Sequence, residues 1–419
     1  MAAAKEARDA LASLLVEVLA SSPDMEGPGA SASDRARALF LRGRLQEVVG
    51  DASTDDGAAT LASAEEALKK AAKLDPALDG AWNCLAQLLW KKGNLEGAKN
   101  CYQAVLKRGP NLKTLQSMSM LCRSLAKSKA APGTEEQKSL VAESMVYAKA
   151  ATKLDLRDGY SWYQVGTAYM SAFFAEGASD QTKLAQALKA YDNAEKGGPG
   201  AGGDPTRALA DHPDLHYNRA TVRRYVEAYG DALAGFAAAA AIDPTLPVKG
   251  EVDAILSVLG KLDDGCRGIG PMFKAKKMAT VRAAMEPGSG HHAAGNETPK
   301  GHAETSLAAL AEGVNEGKAV HARAVLDATA EDMLNLHYII VDKDGTLAAL
   351  SVYGLEDGAV RLSSTLTLLN PNVREVDATW EGRRYRFRLI RVDLPKQILV
   401  GGKMPVGRIA RPRLASTNL

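Results

Sequence analysis

The 419-residue chain holds the residue types of several catalytic chemistries without their arrangements. No GxSxG, P-loop, HExxH or DFG-like set occurs, and no histidine, aspartate and serine stand so as to single out a nucleophile. Cys84, Cys101, Cys122 and Cys266 lack any CxxC spacing and read as small buried or half-buried thiols. His291-His292 with His302 comes nearest to a metal set, but no cysteine or carboxylate stands at ligand spacing beside it. A non-catalytic protein without metal or cofactor is therefore expected. What remains is charge placed for binding. The net charge of +2 conceals eleven Lys/Arg against four acids over 373–413, which predicts a basic C-terminal surface. Tyr385, Phe387 and Leu389 alternate there with Arg384, Arg386 and Arg388, so a strand would carry aromatics on one face and guanidiniums on the other. A second cluster, Lys274, Lys276, Lys277 and Arg282, would concentrate anionic partners such as RNA.

The elements that must position these groups are repeats. A small–(x3)–large–(x2)–small–(x4)–Pro pattern occurs at Ala64, Leu68, Ala71, Pro76 and at Ala98, Tyr102, Val105, Pro110. It returns at Ala187, Tyr191, Ala194, Pro199 and at Ala232, Phe236, Ala239, Pro244, with a degenerate copy at Ser144, Ala148, Ala151, Leu156. Small residues are needed where paired helices touch and large ones where neighbouring pairs interdigitate, because one pair cannot bury its apolar face alone. Trp162-x2-Val165-Gly166-x2-Tyr169 is the matching first-helix pattern, with Gly166 permitting close approach. These are tetratricopeptide repeats, about five over 34–247, with turn insertions near 50–57, 126–138 and 173–183. Ile255, Val258, Leu259 and Leu262 then recur at helical period, as a helix capping the last repeat would.

Beyond a Gly/Pro/His/Ala-rich stretch the period changes to two. His337–Val341 and Thr346–Tyr353 flank Asp342-Lys343-Asp344-Gly345 as a β-hairpin. With 320–326, 373–380, 384–389 and 398–400 this gives at least five short strands, which a small β-barrel accommodates without exposed edges; strand count alone does not choose among such barrels. The expected organisation is an N-terminal helix and linker over 1–33, a solenoid with capping helices over 34–285, a flexible linker over 286–312, a barrel over 313–408 and a tail over 409–419. No run is long enough to span a bilayer, and Lys5, Glu6, Arg8, Asp9 and Glu17 break a signal-peptide pattern, so a cytoplasmic or nuclear protein with no membrane partner is expected.

First helices of such solenoids line the concave surface. Counting from Trp82 puts Asn83, Gln87 and Trp90 there, then Gln116, Met120 and Arg123, then Tyr160, Tyr163, Thr167 and Met170, then Asp214, Tyr217, Thr221 and Arg224. Amides can hold a peptide backbone of any sequence, while charges choose its side chains.

Asp79-Gly80-Ala81-Trp82-Asn83, Trp90-Lys91-Lys92-Gly93, 114–120, Asp158-Gly159-Tyr160-Ser161-Trp162-Tyr163 and 213–220 resemble the tetratricopeptide repeat protein 5 family, also called Strap. Pro371-Asn372-Val373-Arg374 and Tyr385-Arg386-Phe387-x3-Arg391-Val392-Asp393-x-Pro395 resemble its C-terminal barrel, over nearly the whole chain and in the same order. The resemblance implies an α+β multidomain fold, an all-α superhelix followed by an oligonucleotide/oligosaccharide-binding (OB) barrel. It implies an adaptor that grips the N-terminal Met-Arg-Glu-type peptide of nascent tubulin at the ribosome and recruits a downstream mRNA-decay adaptor. The family's other role, a nuclear stress-response scaffold for transcriptional coactivators, is the alternative. By the same resemblance Arg123 pairs with the peptide's glutamate and Asp214 with its arginine. A second family acid aligns near Val248, with Glu251 the nearest replacement. Lys274 and Lys276, with Lys277 beside them, match lysines that contact ribosomal RNA phosphates.

Overall fold

The computed structural model describes residues 30–52, 57–178, 180–198, 211–285, 298–330, 333 and 335–408. The expected helix over 1–20, most of its linker, His291, His292 and the 409–419 tail lie outside these residues. The described chain divides into two compact units, 30–130 with 139–156, and 131–138 with 157–408. No helix among the described residues is long and apolar enough to cross a membrane.

The first unit consists of α1 (Ala32–Ala52), α2 (Gly57–Leu74), α3 (Asp79–Lys91), α4 (Leu95–Leu106), α5 (Leu112–Ser128) and the body of α6 (Glu135–Leu154). Asn94 and Asn111 cap α4 and α5 by accepting from Gly97 N and Thr114 N, an arrangement that stabilises a helix by about 1 kcal/mol. The repeat pattern explains the packing. Leu68, Tyr102, Leu85, Leu88, Met118 and Leu121 interdigitate in one core, and Ala64, Ala98, Ser144, Ala148 and Ala151 are all fully buried where helices meet. The degenerate third copy thus occupies the same structural role as the others.

The second unit continues with α7 (Gly159–Ala175), α8 (Gln181–Lys196), α9 (Pro213–Tyr225), α10 (Tyr229–Ile242) and α11 (Val248–Cys266), then a single 3-10 turn (Pro271–Phe273) and α12 (Ala275–Ala283). Gly166 is where α7 and α8 come closest: a Cβ there would stand 2.6 Å from the Tyr191 ring. Ile255, Val258, Leu259 and Leu262 of α11 are fully buried, as expected of a cap, each burial contributing about 1.5–3 kcal/mol. What covers α11 was not legible in its pattern. One side meets α10 and the other meets a β-barrel, with Gly265 so close to Ile339 that no Cβ would fit.

The barrel is built from β1 (Ala303–Thr305), β2 (Gly313–Val314), β3 (Lys318–Asp327), β4 (Leu336–Val341), β5 (Leu347–Val352), β6 (Thr365–Leu369), β7 (Asn372–Trp380), β8 (Arg383–Val392) and β9 (Ile398–Val400). Only Asn370, at φ 49°, and Pro371 separate β6 from β7, so the two act as one bent strand. Its first half pairs with β3 and its second with β8, while β8 runs parallel to β5 and β3–β4–β5 form an antiparallel meander. The sheet therefore closes on itself as a five-stranded OB barrel. Leu336, Tyr338, Ile340, Leu350, Val352 and Ile390 fill its interior. The opposite faces of β4, β5 and β8, with Ile339, Val341, Ala349, Phe387 and Leu389, pack on α10 and α11. That explains why β4 is buried along its whole length instead of alternating.

Two expectations are corrected here. The barrel domain begins before residue 313: β1 pairs with β3, Leu307 and Leu310 are buried in the barrel core, and Leu307 N donates to Asp342 Oδ2 at 2.9 Å, so 303–312 is barrel and not linker. The basic C-terminal surface is also neutralised in part. Arg384 pairs with Asp377, Arg383 with Asp264 and Arg388 with Glu375, while Arg391 is wholly buried and Arg374 donates to Val226 O. The alternation itself is as expected, Tyr385 and Phe387 buried and Arg384 and Arg386 exposed.

Candidate functional site

In the first unit the expected groove positions divide by use. Gln87 is exposed, Asn83 accepts from Thr114 Oγ1 at 2.8 Å, and Trp90 leans into the core. Arg123 is buried on α5. Its Nη1 donates to Ser119 O at 3.2 Å, Ser119 Oγ at 2.9 Å and Ser144 Oγ at 3.0 Å, so hydroxyls of α5 and α6 hold the guanidinium.

In the second unit α7, α9 and α11 are joined through side chains that include the counted positions Tyr163, Tyr217 and Arg224. Asn218 Nδ2 donates to Tyr163 Oη at 2.9 Å, linking α9 to α7. Tyr217 Oη donates to Glu251 Oε1 at 3.1 Å and Arg224 forms an ion pair with Glu251, linking α9 to α11. Burial, and then the Glu251 charge, push the Tyr217 hydroxyl up to about 12. Thr167 and Thr221 turn their hydroxyls back to Tyr163 O and Tyr217 O, each at 3.0 Å, and Met170 is buried.

Glu251 is therefore not a spare acid standing in for the one replaced by Val248, which is itself buried. It already pairs with Arg224, so the two stand as a matched ion pair and not as separate charges. Arg219, beside them, is matched by Glu195 at 2.6 Å and Asp192 at 3.4 Å, and holds the Glu195 carboxyl below its usual range.

Asp214 differs from every other acid on these helices. It sits in the first turn of α9, where the helix N-terminus favours negative charge. Its side chain is 45% exposed, and its one ion-pair neighbour is His212 Nδ1 at 3.8 Å; no lysine or arginine among the described residues reaches it. That neighbour, His212, in turn clusters with the rings of Tyr160 and Tyr163, with centroids 5.8–6.4 Å apart. A half-exposed carboxylate next to a histidine in a cluster of tilted aromatic rings is a place for a planar cation. His212, which repeat counting passed over because it precedes α9, belongs to this patch.

Lys274, Lys276 and Lys277 are all exposed. Lys274 caps α12 and the other two lie in its first turn, at the positive end of the helix dipole. None forms an ion pair among the described residues; Lys277 Nζ approaches Met272 Sδ at 3.7 Å, and Arg282 donates instead to Lys343 O at 3.2 Å. Three ammoniums at a helix N-terminus repel its dipole, an arrangement that an anion there would relieve.

Residues 302–411 match the family model of the tetratricopeptide repeat protein 5 OB fold domain, and residues 80–112 match that of the tetratricopeptide repeat. Tetratricopeptide repeat protein 5 of Mus musculus is 33% identical over 387 residues, 90% of this chain and 83% of the relative. The chain belongs to the tetratricopeptide repeat protein 5 family. The Homo sapiens relative is likewise 33% identical, over 388 residues. Among solved structures, a thermophilic tetratricopeptide repeat protein of Thermus thermophilus covers 51% of this chain at 18% identity and a TM-score of 0.38.

Family membership and architecture make the chain a repeat-based protein-binding adaptor. A last group of residues was missed by the sequence reading. Glu227, in the turn after α9, and Arg391 of β8 are both buried, with Arg391 Nη1 3.3 Å from Glu227 Oε2. Parity could have flagged Arg391: it shares the odd register of Tyr385, Phe387 and Leu389, the buried face of β8.

Proposed function

We propose that this member of the tetratricopeptide repeat protein 5 family reads the N-terminal Met-Arg-Glu-type peptide of nascent tubulin at the ribosome and triggers decay of the tubulin message through a downstream adaptor. The observation that carries the reading is Asp214. Of the two acids considered for the ligand, Glu251, suggested by the family resemblance, pairs with Arg224, whereas Asp214, reached by repeat counting, stays half exposed with only a histidine, His212, as its ion-pair neighbour. An arginine side chain suits it, because a guanidinium both stacks on rings and bonds a carboxylate in bidentate fashion. Arg123, whose side chain is oriented by serine hydroxyls, takes the peptide's glutamate. The unpaired lysines at the start of α12 make sequence-independent phosphate contacts to ribosomal RNA.

A charge exchange tests this. Asp214→Arg should abolish binding of Met-Arg-Glu-Ile and confer binding of Met-Glu-Glu-Ile, read by fluorescence anisotropy. Undiminished binding of the arginine peptide to Asp214→Arg would overturn the assignment. The nuclear coactivator scaffold is the competing reading, and it is indifferent to Lys274 and Lys276.

A further inference from the structure

The turn that follows α9 is held by the barrel at three consecutive residues. Tyr225 O accepts from Arg391 Nη1 and from Tyr353 Oη, both at 2.8 Å. Val226 O accepts from Arg374 Nη1. The Glu227 carboxylate faces Arg391, accepts from Ser351 Oγ, and has Tyr353 Oη 3.1 Å and Asn335 Nδ2 3.4 Å away. Glu227 lies at φ 64°, a left-handed conformation that a side chain other than glycine adopts at a cost. The Arg391 guanidinium, 4.1 Å from the centre of the Tyr353 ring and bonded to Asp393 at 2.6 Å, is fully enclosed.

An interface needing only adhesion has no use for this. The same surface already buries a wide apolar contact, and a buried ion pair contributes less to stability than well-packed hydrophobic residues do. What such a pair supplies is register: its ion pair and hydrogen bonds form in one arrangement and are lost, at a cost, in any other. The register fixed here is that of α9, whose C-terminal turn is clamped and whose N-terminal turn carries Asp214. Successive residues of a helix differ by about 100° in direction, so a slip of one residue at the clamp would swing Asp214 away from its place beside His212.

We propose that Glu227, Tyr353 and Arg391 are positioning residues for ligand binding: through them the barrel sets the rotation of α9 and thereby aims Asp214, although no ligand touches any of the three. The inference rests on the reading of Asp214 as the carboxylate that receives the peptide's cation.

The test is titration of labelled Met-Arg-Glu-Ile into the full chain, comparing wild type with Tyr353→Phe, which removes one hydroxyl, and with the neutral double variant Glu227→Gln/Arg391→Met. Each is also made in an Asp214→Ala background, with melting followed by circular dichroism. Tyr353→Phe should bind roughly two- to tenfold more weakly while remaining folded, as expected when the hydroxyl's bonds to Tyr225 O and Arg391 are lost from the clamp. The same change should have no effect once Asp214 is gone, because a purely structural role would act equally in both backgrounds. Full affinity in folded Tyr353→Phe, or an equal loss with and without Asp214, overturns the positioning role and leaves the Asp214 reading intact. A wild type that does not bind the peptide, or binds it no better than Asp214→Ala, removes that reading and this inference with it.

Discussion

Acidification should unlock the junction between the last repeat and the barrel through one histidine. His337 of β4 is completely buried, and its Nε2 stands 3.2 Å from Tyr229 Oη and 3.1 Å from Asn335 Nδ2, both able to donate to it. A proton on Nε2 would break both bonds and place a cation in an enclosed space. Desolvation accordingly pushes the imidazole down to about 3, opposed only in part by Asp327. The unfolded chain takes up this proton near pH 6.5 and the folded chain does not, so stability rises with pH between about 3 and 6.5 and is lost on acidification. Each pH unit in that window costs about 1.4 kcal/mol, so between pH 7 and pH 5 His337 removes about 2 kcal/mol. Urea unfolding of wild type and His337→Gln at pH 7, 6 and 5 isolates the effect, since glutamine does not titrate. The stability difference between them should move by about 2 kcal/mol in favour of the variant as pH falls. Parallel pH dependences would refute the reasoning.

The other predictions concern packing and the basic turn. Gly166→Ala drives a methyl into the Tyr191 ring and should destabilise the chain by about 1–3 kcal/mol in thermal or urea unfolding; an unchanged midpoint would contradict the close approach of α7 and α8. Lys274→Glu with Lys276→Glu should abolish co-sedimentation with ribosomes while leaving the affinity for Met-Arg-Glu-Ile within about twofold, if the pair serves phosphate and not peptide as proposed.

Much of this architecture was legible because repeats write their packing into spacing. Ala187, Tyr191 and Ala194 of α8 predict burial from position alone, and even Ser144, in a copy without the proline, obeys. The hairpin at Asp342–Gly345 was equally plain: Gly345 at φ 87° takes the left-handed place that the turn demands. What spacing does not encode is the partner of a surface. The apolar stripe of α11 announced a cap, but a stripe looks the same whether water, a helix or a sheet lies beyond it. Likewise Phe387 and Leu389 read as barrel residues, yet they face α10 and α11 while Ile390 and Val392 face inward. The candidate site was legible by position and not by pairing. Counting found Tyr217 and Arg224 and the family resemblance pointed to Glu251, but only coordinates show that they satisfy one another. Composition alone counted Arg391 among surface cations, although strand parity placed it with the buried set.

Of all measurements, titration of labelled Met-Arg-Glu-Ile into wild type, Arg123→Ala and Asp214→Ala bears most directly on the central claim. A charge-assisted bond in a partly enclosed site contributes about 1.5–3 kcal/mol, so each substitution should weaken binding roughly ten- to a hundredfold with folding intact. Equal affinity across the three proteins would contradict the account.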